Sequence, residues 1–195
     1  ITSCPCFTRT GKSRLPIYPF APLNKTLIHI KQCLIVACSF LKIKTMHQLK
    51  RKVTLKLNIE EAWHFFSNPK NLKIITPDYM GFDITSEIDD KMYEGMIITY
   101  KVSPLLGIKM DWMTEITHIK EKAFFVDEQR IGPYKLWHHQ HHFKQKEDGI
   151  EMTDIVNYAA PFGFIGKAVE PFLVRPKLKE IFDYRENKMR ELGMI

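Results

Sequence analysis

Residues 132–143 read Gly-Pro-Tyr-Lys-Leu-Trp-His-His-Gln-His-His-Phe, a turn dipeptide followed by a segment with four histidines. If this segment is a β-strand, successive side chains alternate between the two faces of a sheet. The alternation divides it into two sets, with Trp137, His139, His141 and Phe143 on one face and Leu136, His138, Gln140 and His142 on the other. Any site in this segment therefore depends on which face is buried.

Seven segments of the chain have the residue pattern of strands, and turn signals such as Gly132-Pro133 and Asp148-Gly149 separate them. They cover residues 48–57, 82–88, 96–102, 109–119, 124–130, 134–145 and 150–159. Short connections between successive strands favour antiparallel hairpins. The last six segments therefore form a predicted antiparallel meander, and a strongly twisted sheet of seven strands curls.

Two short helices are predicted directly after the first strand. Asn58 with Glu61 three residues later is a capping box that opens the first helix. Residues 71–76 have helical spacing and end before Pro77.

A longer helix is predicted at the C-terminal end, because the pattern is helical from Phe164 onward. Its apolar positions recur at helical spacing, but Arg185 stands where the pattern requires an apolar residue. Pro171 and Pro176 predict a break or kink, followed by a continuous helix from about Pro176. The predicted fold class is α+β, a curved seven-stranded antiparallel sheet wrapped around this helix, which leaves an internal cavity.

The first 45 residues differ in composition from the rest of the chain. Seven of the 29 basic residues and none of the 22 acidic residues lie there, so the remainder is neutral. The first methionine is Met46, immediately before a strongly patterned segment. We therefore predict that residues 1–45 are an extension outside the domain, that Met46 is the natural start, and that residues 46–195 form the domain.

The same division argues against several classes of function. A neutral domain whose aromatic residues face inward does not favour nucleic-acid binding. All four cysteines precede Met46, so the domain can hold no zinc–thiolate site and needs no oxidising compartment, which favours the cytoplasm. The apolar run at residues 33–41 is too short to span a bilayer, so no stable membrane insertion is expected.

Four motifs resemble one known superfamily when they are taken together. They are Pro69-x-Asn71-Leu72-x3-Thr76-Pro77, Phe125-x-Asp127-x-Gln129-x2-Gly132-Pro133-Tyr134-x2-Trp137-x-His139-x-His141-x-Phe143, Asp154-x3-Tyr158-x2-Pro161 and Ile181-Phe182-x-Tyr184-Arg185. The chain from about residue 48 to 192 resembles the SRPBCC superfamily, which includes START lipid-transfer domains and birch-pollen-allergen proteins. Within it, the motifs look like the ligand-binding, polyketide cyclase/dehydrase-like branch. The resemblance implies the helix-grip fold and a cavity for a small molecule.

The expected turns determine which residues share a face with His139 and His141. A tight hairpin at Asp148-Gly149 pairs odd positions of one strand with even positions of the next, and the Gly132-Pro133 connection pairs odd with odd. We predict that the resulting inward set binds the ligand: Phe125, Asp127, Gln129, Trp137, His139, His141, Phe143, Asp154 and Tyr158. His138 and His142 are predicted to be surface residues.

Three functions remain open at this point. The first is binding of a small hydrophobic or aromatic molecule by a monomer or weak dimer that needs no cofactor. The second is a cyclase or dehydratase that uses His139, His141 and Asp154 for acid–base catalysis. The third is a lipid or quinone carrier. A self-satisfied His–Asp network with a purely structural role also fits the pattern.

Metal binding is the remaining interpretation of the histidines. His139-x-His141 on a strand places two imidazoles at ligand distance, with Asp154 as a candidate third ligand. The cupin spacing is absent, because six residues separate Gly132 from His139 and Lys146 stands where a later acid would fall. The sequence therefore predicts no metal.

Overall fold

The computed structural model describes residues 46–89, 91–103 and 107–195, and within these it leaves the side chains of Phe164 and Lys167 undescribed. The predicted extension at residues 1–45 lies outside the described residues. So do Asp90 and Pro104, each of which belongs to a predicted turn.

One antiparallel sheet of seven strands forms the framework, in the spatial order β1-β7-β6-β5-β4-β3-β2. The strands are β1 His47–Leu55, β2 Asp83–Ile84, β3 Ile97–Val102, β4 Met110–Lys120, β5 Phe124–Ile131, β6 Leu136–Lys146 and β7 Gly149–Ala159. Strands β2 to β7 follow one another as a meander. The first strand, β1, pairs with the last, β7, along its whole length. The predicted fold class is confirmed.

Strand β2 is much shorter than the predicted segment 82–88. It pairs with β3 through two residues only, Asp83 and Ile84. The amides of Thr85 and Ser86 then converge on one acceptor, the carbonyl oxygen of Thr99, at 2.8 and 3.4 Å. Two donors on one acceptor break the regular ladder, so this edge strand ends early.

Two helical segments follow β1, as predicted. Helix α1 spans Ile59–Phe66, and its capping box is complete: the Asn58 side chain accepts from the Glu61 amide at 2.9 Å, and the Glu61 carboxylate accepts from the Asn58 amide at 3.0 Å. The second segment is a 3₁₀ turn at Pro69–Lys73, and another 3₁₀ turn follows at Asp78–Met80.

The C-terminal segment is helical on both sides of the prolines, with an irregular π-helical turn at the first of them, and its regular helix begins next to Pro176 as predicted. Helix α2 spans Gly163–Val169, a π-helical turn spans Glu170–Val174, and helix α3 spans Arg175–Glu191. Pro171 lies at the start of the π turn and Pro176 at the start of α3. A proline lacks the amide donor, and the first turn of a helical segment is where that loss costs least.

The core lies between the concave face of the sheet and helix α3. Leu178, Phe182 and Met189 of α3 are buried against it, together with Met152 and Val156 of β7. Among the described residues no helix is both long and apolar enough to cross a membrane.

Candidate functional site

The inner face of β5, β6 and β7 brings two histidines and two aspartates together. Asp127 of β5 is the cross-strand partner of His139, and His141 is the cross-strand partner of Asp154 of β7. This is the register that the two turns predict. Since directly paired residues place their side chains on the same face, the four groups are neighbours.

The four side chains form one buried network. His139 donates from Nε2 to Asp154 Oδ1 at 3.1 Å, and His141 donates from Nε2 to Asp127 Oδ2 at 2.9 Å. The second nitrogen of His141, Nδ1, lies 2.8 Å from Asp154 Oδ1 but lacks hydrogen-bond geometry, so that contact is electrostatic. The two imidazole centroids are 3.8 Å apart. The network therefore links the neighbouring strands β5, β6 and β7 through their side chains.

The charges of the network stabilise one another. Burial raises the pKa of Asp154, but the hydrogen bond from His139 and the charge contact with His141 outweigh it and hold that pKa far below its usual range. Burial also raises the pKa of Asp127, and the two imidazoles again outweigh it, so its pKa is lowered. Both carboxyls are therefore ionised at neutral pH.

The two imidazoles differ in their affinity for a proton. Burial lowers the pKa of His141, but the hydrogen bond to Asp127 and the charge contact with Asp154 outweigh that effect, and its pKa lies above the usual value. Burial and the nearby charge of His141 lower the pKa of His139. His141 is therefore the cationic member of the pair and His139 the neutral one.

A cavity of about 150 Å³ lies between this network and helix α3. Its wall is mostly apolar and draws on β3 to β6, the segment after α1 and the inner side of α3. Aromatic rings form much of it: Trp112 lies 5.4 Å from Trp137 and 5.7 Å from Tyr134, centroid to centroid. An apolar cavity of similar size in another protein holds a benzene ring.

Polar groups in the wall are mostly satisfied by the protein itself. Trp112 Nε1 donates to Thr114 Oγ1 at 3.0 Å, and the hydroxyls of Tyr100 and Thr114 are hydrogen-bonded to each other. Trp137 Nε1 donates to Asp127 Oδ1 at 3.3 Å. These groups present apolar ring surface to the cavity rather than free donors.

Five of the nine residues predicted to bind a ligand line this cavity. They are Phe125, Asp127, Trp137, His139 and His141. The other four, Gln129, Phe143, Asp154 and Tyr158, are absent from the wall as the described residues define it.

Each of these four residues has another contact. Phe143 packs edge-on against Trp63 of α1, with centroids 5.7 Å apart, and Gln129 donates to the carbonyl oxygen of Tyr134 at 2.7 Å. Tyr158 donates to Glu170 at 2.7 Å, and Asp154 accepts from His139 at 3.1 Å. The structure thus places them in support of the wall rather than on it.

His138 and His142 lie on the outer face, as the alternation predicts, but they are half-buried rather than exposed. His138 Nδ1 is 2.8 Å from Glu128 Oε1, and His142 Nε2 is 2.9 Å from Gln140 Oε1. Neighbouring side chains on this face cover them.

The sequence prediction missed several residues of the wall, including Trp112, Tyr134 and Arg185. Trp112 lies on β4, where alternation alone could have assigned the inward face, whereas Tyr134 lies in the turn before β6, where strand alternation does not apply. Arg185 did carry a signal, because it interrupts the apolar repeat of the C-terminal helix. A charged residue at a core position of an amphipathic helix indicates a buried charge.

Asp127, His139 and His141 each offer one possible metal ligand atom, and the three atoms lie within 4.8 Å of one another. Two imidazoles and a carboxylate suit a transition metal. In this structure, however, the same atoms are engaged in hydrogen bonds and ion contacts with each other, and a metal would have to displace the proton of His141. Asp127, rather than the predicted Asp154, is the carboxylate of this group.

Solved structures with a similar fold identify the architecture. No protein-family model and no curated protein sequence matches the chain. Protein Ms6760 from Mycobacterium smegmatis superimposes with a TM-score of 0.53 at 17% identity, covering 74% of this chain and 89% of that one. Ginseng major latex-like protein 151 from Panax ginseng gives 0.53 at 14% identity, covering 77% and 99%.

The chain has the helix-grip fold that the sequence predicts. Protein TTHA0849 from Thermus thermophilus agrees, with a TM-score of 0.53 at 13% identity over 74% of this chain and 95% of that one. Identities this low show a shared fold and carry no residue of the site from one protein to another.

Proposed function

We propose that the domain binds a small apolar or aromatic molecule in the cavity between the sheet and helix α3. The observation that supports this is the wall itself, in which aromatic and aliphatic side chains surround about 150 Å³ and a His–Asp network lies at one side. A pocket of this kind buries an apolar body and orients it through a few polar groups.

Native mass spectrometry of protein purified from its own host tests the proposal. A co-purified small molecule that dissociates on gentle activation is the expected result. Protein that stays at the bare chain mass, and that also fails to bind naphthalene-sized probes in a titration, would contradict it.

A second candidate function is acid–base catalysis of the cyclase or dehydratase type. It is favoured by His139, which lines the cavity, has a lowered pKa and donates to the buried carboxylate of Asp154. Its other nitrogen, 3.4 Å from Asp127, could accept a proton from a substrate. A His139→Gln/His141→Gln double variant separates the two functions. Binding by orientation alone predicts modestly weaker affinity, whereas catalysis predicts loss of turnover with binding retained.

We also propose that the domain is a cytoplasmic monomer or weak dimer. The domain contains no cysteine and so needs no oxidising compartment. Sedimentation at micromolar concentration and cell fractionation test this directly, and a stable tetramer or an exported protein would contradict it.

A further inference from the structure

Arg185 is a buried cation in the wall of the cavity. It lies on the inner face of α3, three residues after Phe182 and four before Met189, both of which are buried. Its side chain lines the cavity, and the residue is only 8% exposed. An arginine side chain remains charged under all ordinary conditions.

The other arginines in the described part of the chain all have a carboxylate within ion-pair distance. Arg51 is 2.6 Å from Asp183, Arg175 is 2.9 Å from Glu170, and Arg190 is 2.5 Å from Glu186. Arg130 is 2.5 Å from Glu115. These four are all more exposed than Arg185.

Arg185 forms no ion pair and no side-chain hydrogen bond with any described residue, and its buried Nε has no acceptor. Its contact is with the ring of Phe182, whose centroid lies 4.9 Å from the guanidinium carbon. A ring face attracts a cation but accepts none of its N–H bonds in the guanidinium plane. The guanidinium therefore has no hydrogen-bond acceptor among the described residues.

The carboxylates of the network are already committed to other donors. Asp127 accepts from His141 and Trp137, and Asp154 accepts from His139 and carries the charge contact with His141. Glu170, another buried acid, accepts from Tyr158 and Arg175. None of these carboxylates pairs with Arg185, which leaves its guanidinium available to an acceptor from outside the protein.

We propose that the molecule bound in the cavity is a carboxylic acid with an apolar or aromatic body, and that Arg185 binds its carboxylate. This proposal rests on the proposed binding function and specifies its ligand class. The planar guanidinium matches a carboxylate with two parallel N–H···O bonds, and a low-polarity wall strengthens such a pair. The body of the ligand lies against Trp112 and Leu178.

Two probes that differ only in charge test the proposal by calorimetric titration. They are 2-naphthoate and 2-naphthylmethanol, measured against the unmodified protein and the Arg185→Met and Arg185→Lys variants. We expect the unmodified protein to prefer the carboxylate by about 10- to 100-fold. Arg185→Met should lose this preference while retaining the alcohol, and Arg185→Lys should keep part of it.

The outcomes separate this proposal from the one on which it rests. Equal affinities for the two probes in the unmodified protein, or a preference that persists in Arg185→Met, would overturn the carboxylate proposal and leave apolar binding intact. Failure of the unmodified protein to bind either probe, and also the smaller pair benzoate and benzyl alcohol, would overturn both.

Thermal unfolding distinguishes a ligand-binding arginine from a structural one. Without ligand, Arg185→Met should melt at the same temperature as the unmodified protein or higher, because it removes an unpaired buried charge. At the same concentration of 2-naphthoate, the unmodified protein should be stabilised clearly more than Arg185→Met. A structural arginine predicts a lower melting temperature for Arg185→Met in both conditions. Arg190→Met, an exposed site on the same helix, is the matched control and should alter neither readout.

Discussion

The imidazole of His141 lies 2.9 Å from the carboxylate of Asp127, and both side chains line the cavity. This contact joins the central strands β5 and β6 on their inner face. The same pair therefore contributes to the stability of the sheet and to the polar side of the cavity.

Loss of Asp154 should destabilise the fold strongly. Asp154→Ala leaves the imidazolium of His141 with one buried counter-charge fewer, and breaking a buried pair in this way costs about 3–5 kcal/mol. Urea unfolding at neutral pH measures the loss. Asp183→Ala removes a more exposed carboxylate that pairs with Arg51, and it should cost about 1 kcal/mol or less. Equal losses in the two variants would contradict the buried network.

The two buried histidines should affect the pH dependence of stability in opposite directions. The pKa of His141 is raised on folding. Its contribution to the free energy of unfolding is therefore fully present below the unfolded pKa of about 6.5 and is lost as pH rises through the folded pKa. The pKa of His139 is lowered, so protonation of the unfolded chain below about 6.5 opposes folding.

The matched variants His141→Gln and His139→Gln test this difference. Relative to the unmodified protein, the stability lost in His141→Gln should be largest in mild acid and should shrink above neutrality. The loss in His139→Gln should show the reverse trend. Chemical unfolding at several pH values between 5 and 8 measures both, and parallel pH profiles would count against the assignment of charge.

Tyr158→Phe should affect stability but not ligand affinity. The hydroxyl of Tyr158 donates to the buried carboxylate of Glu170 at 2.7 Å and is not part of the cavity wall. Removing it leaves part of that carboxylate unsatisfied, at a cost of about 1–3 kcal/mol. Thermal unfolding and titration of 2-naphthylmethanol measure the two effects. A tenfold loss of affinity would show that Tyr158 is part of the ligand site after all.

Ile181→Trp should close the cavity. Ile181 lines it and is only half-buried, so it lies where the wall meets solvent. An indole at this position fills volume that the ligand needs, and we expect affinity for 2-naphthylmethanol to fall at least about tenfold. Asn187→Trp, on the exposed side of the same helix, is the control and should bind normally. Normal binding by Ile181→Trp would argue that the ligand site lies elsewhere.

Local patterns predict the fold and most of the strand register. Alternation in β6 and the two turns that flank it is sufficient to group Asp127, His139, His141 and Asp154 on one face, because the side-chain period of a strand is two. The capping residues Asn58 and Glu61 likewise fix the start of α1 through contacts three residues apart.

Contacts between distant elements could not be predicted in this way. Phe143 is inward-facing as expected, but Trp63 and Phe66 of α1 pack against it, and Phe66 rather than Phe143 lines the cavity. Tyr158 faces Glu170 only because the chain continues as a π turn through Pro171. The sequence pattern shows that Arg185 is unusual. Only the structure shows that it has no carboxylate partner, because the buried carboxylates accept from other donors.

NMR spectroscopy of the domain with 2-naphthylmethanol tests the position of the ligand most directly. A ligand in the cavity should give intermolecular nuclear Overhauser effects from the naphthalene protons to the ring of Trp112 on the sheet and to the methyl groups of Leu178 on helix α3, both of which line the cavity. No such contacts at saturating ligand, or contacts confined to residues outside the cavity wall, would contradict a ligand site between the sheet and helix α3.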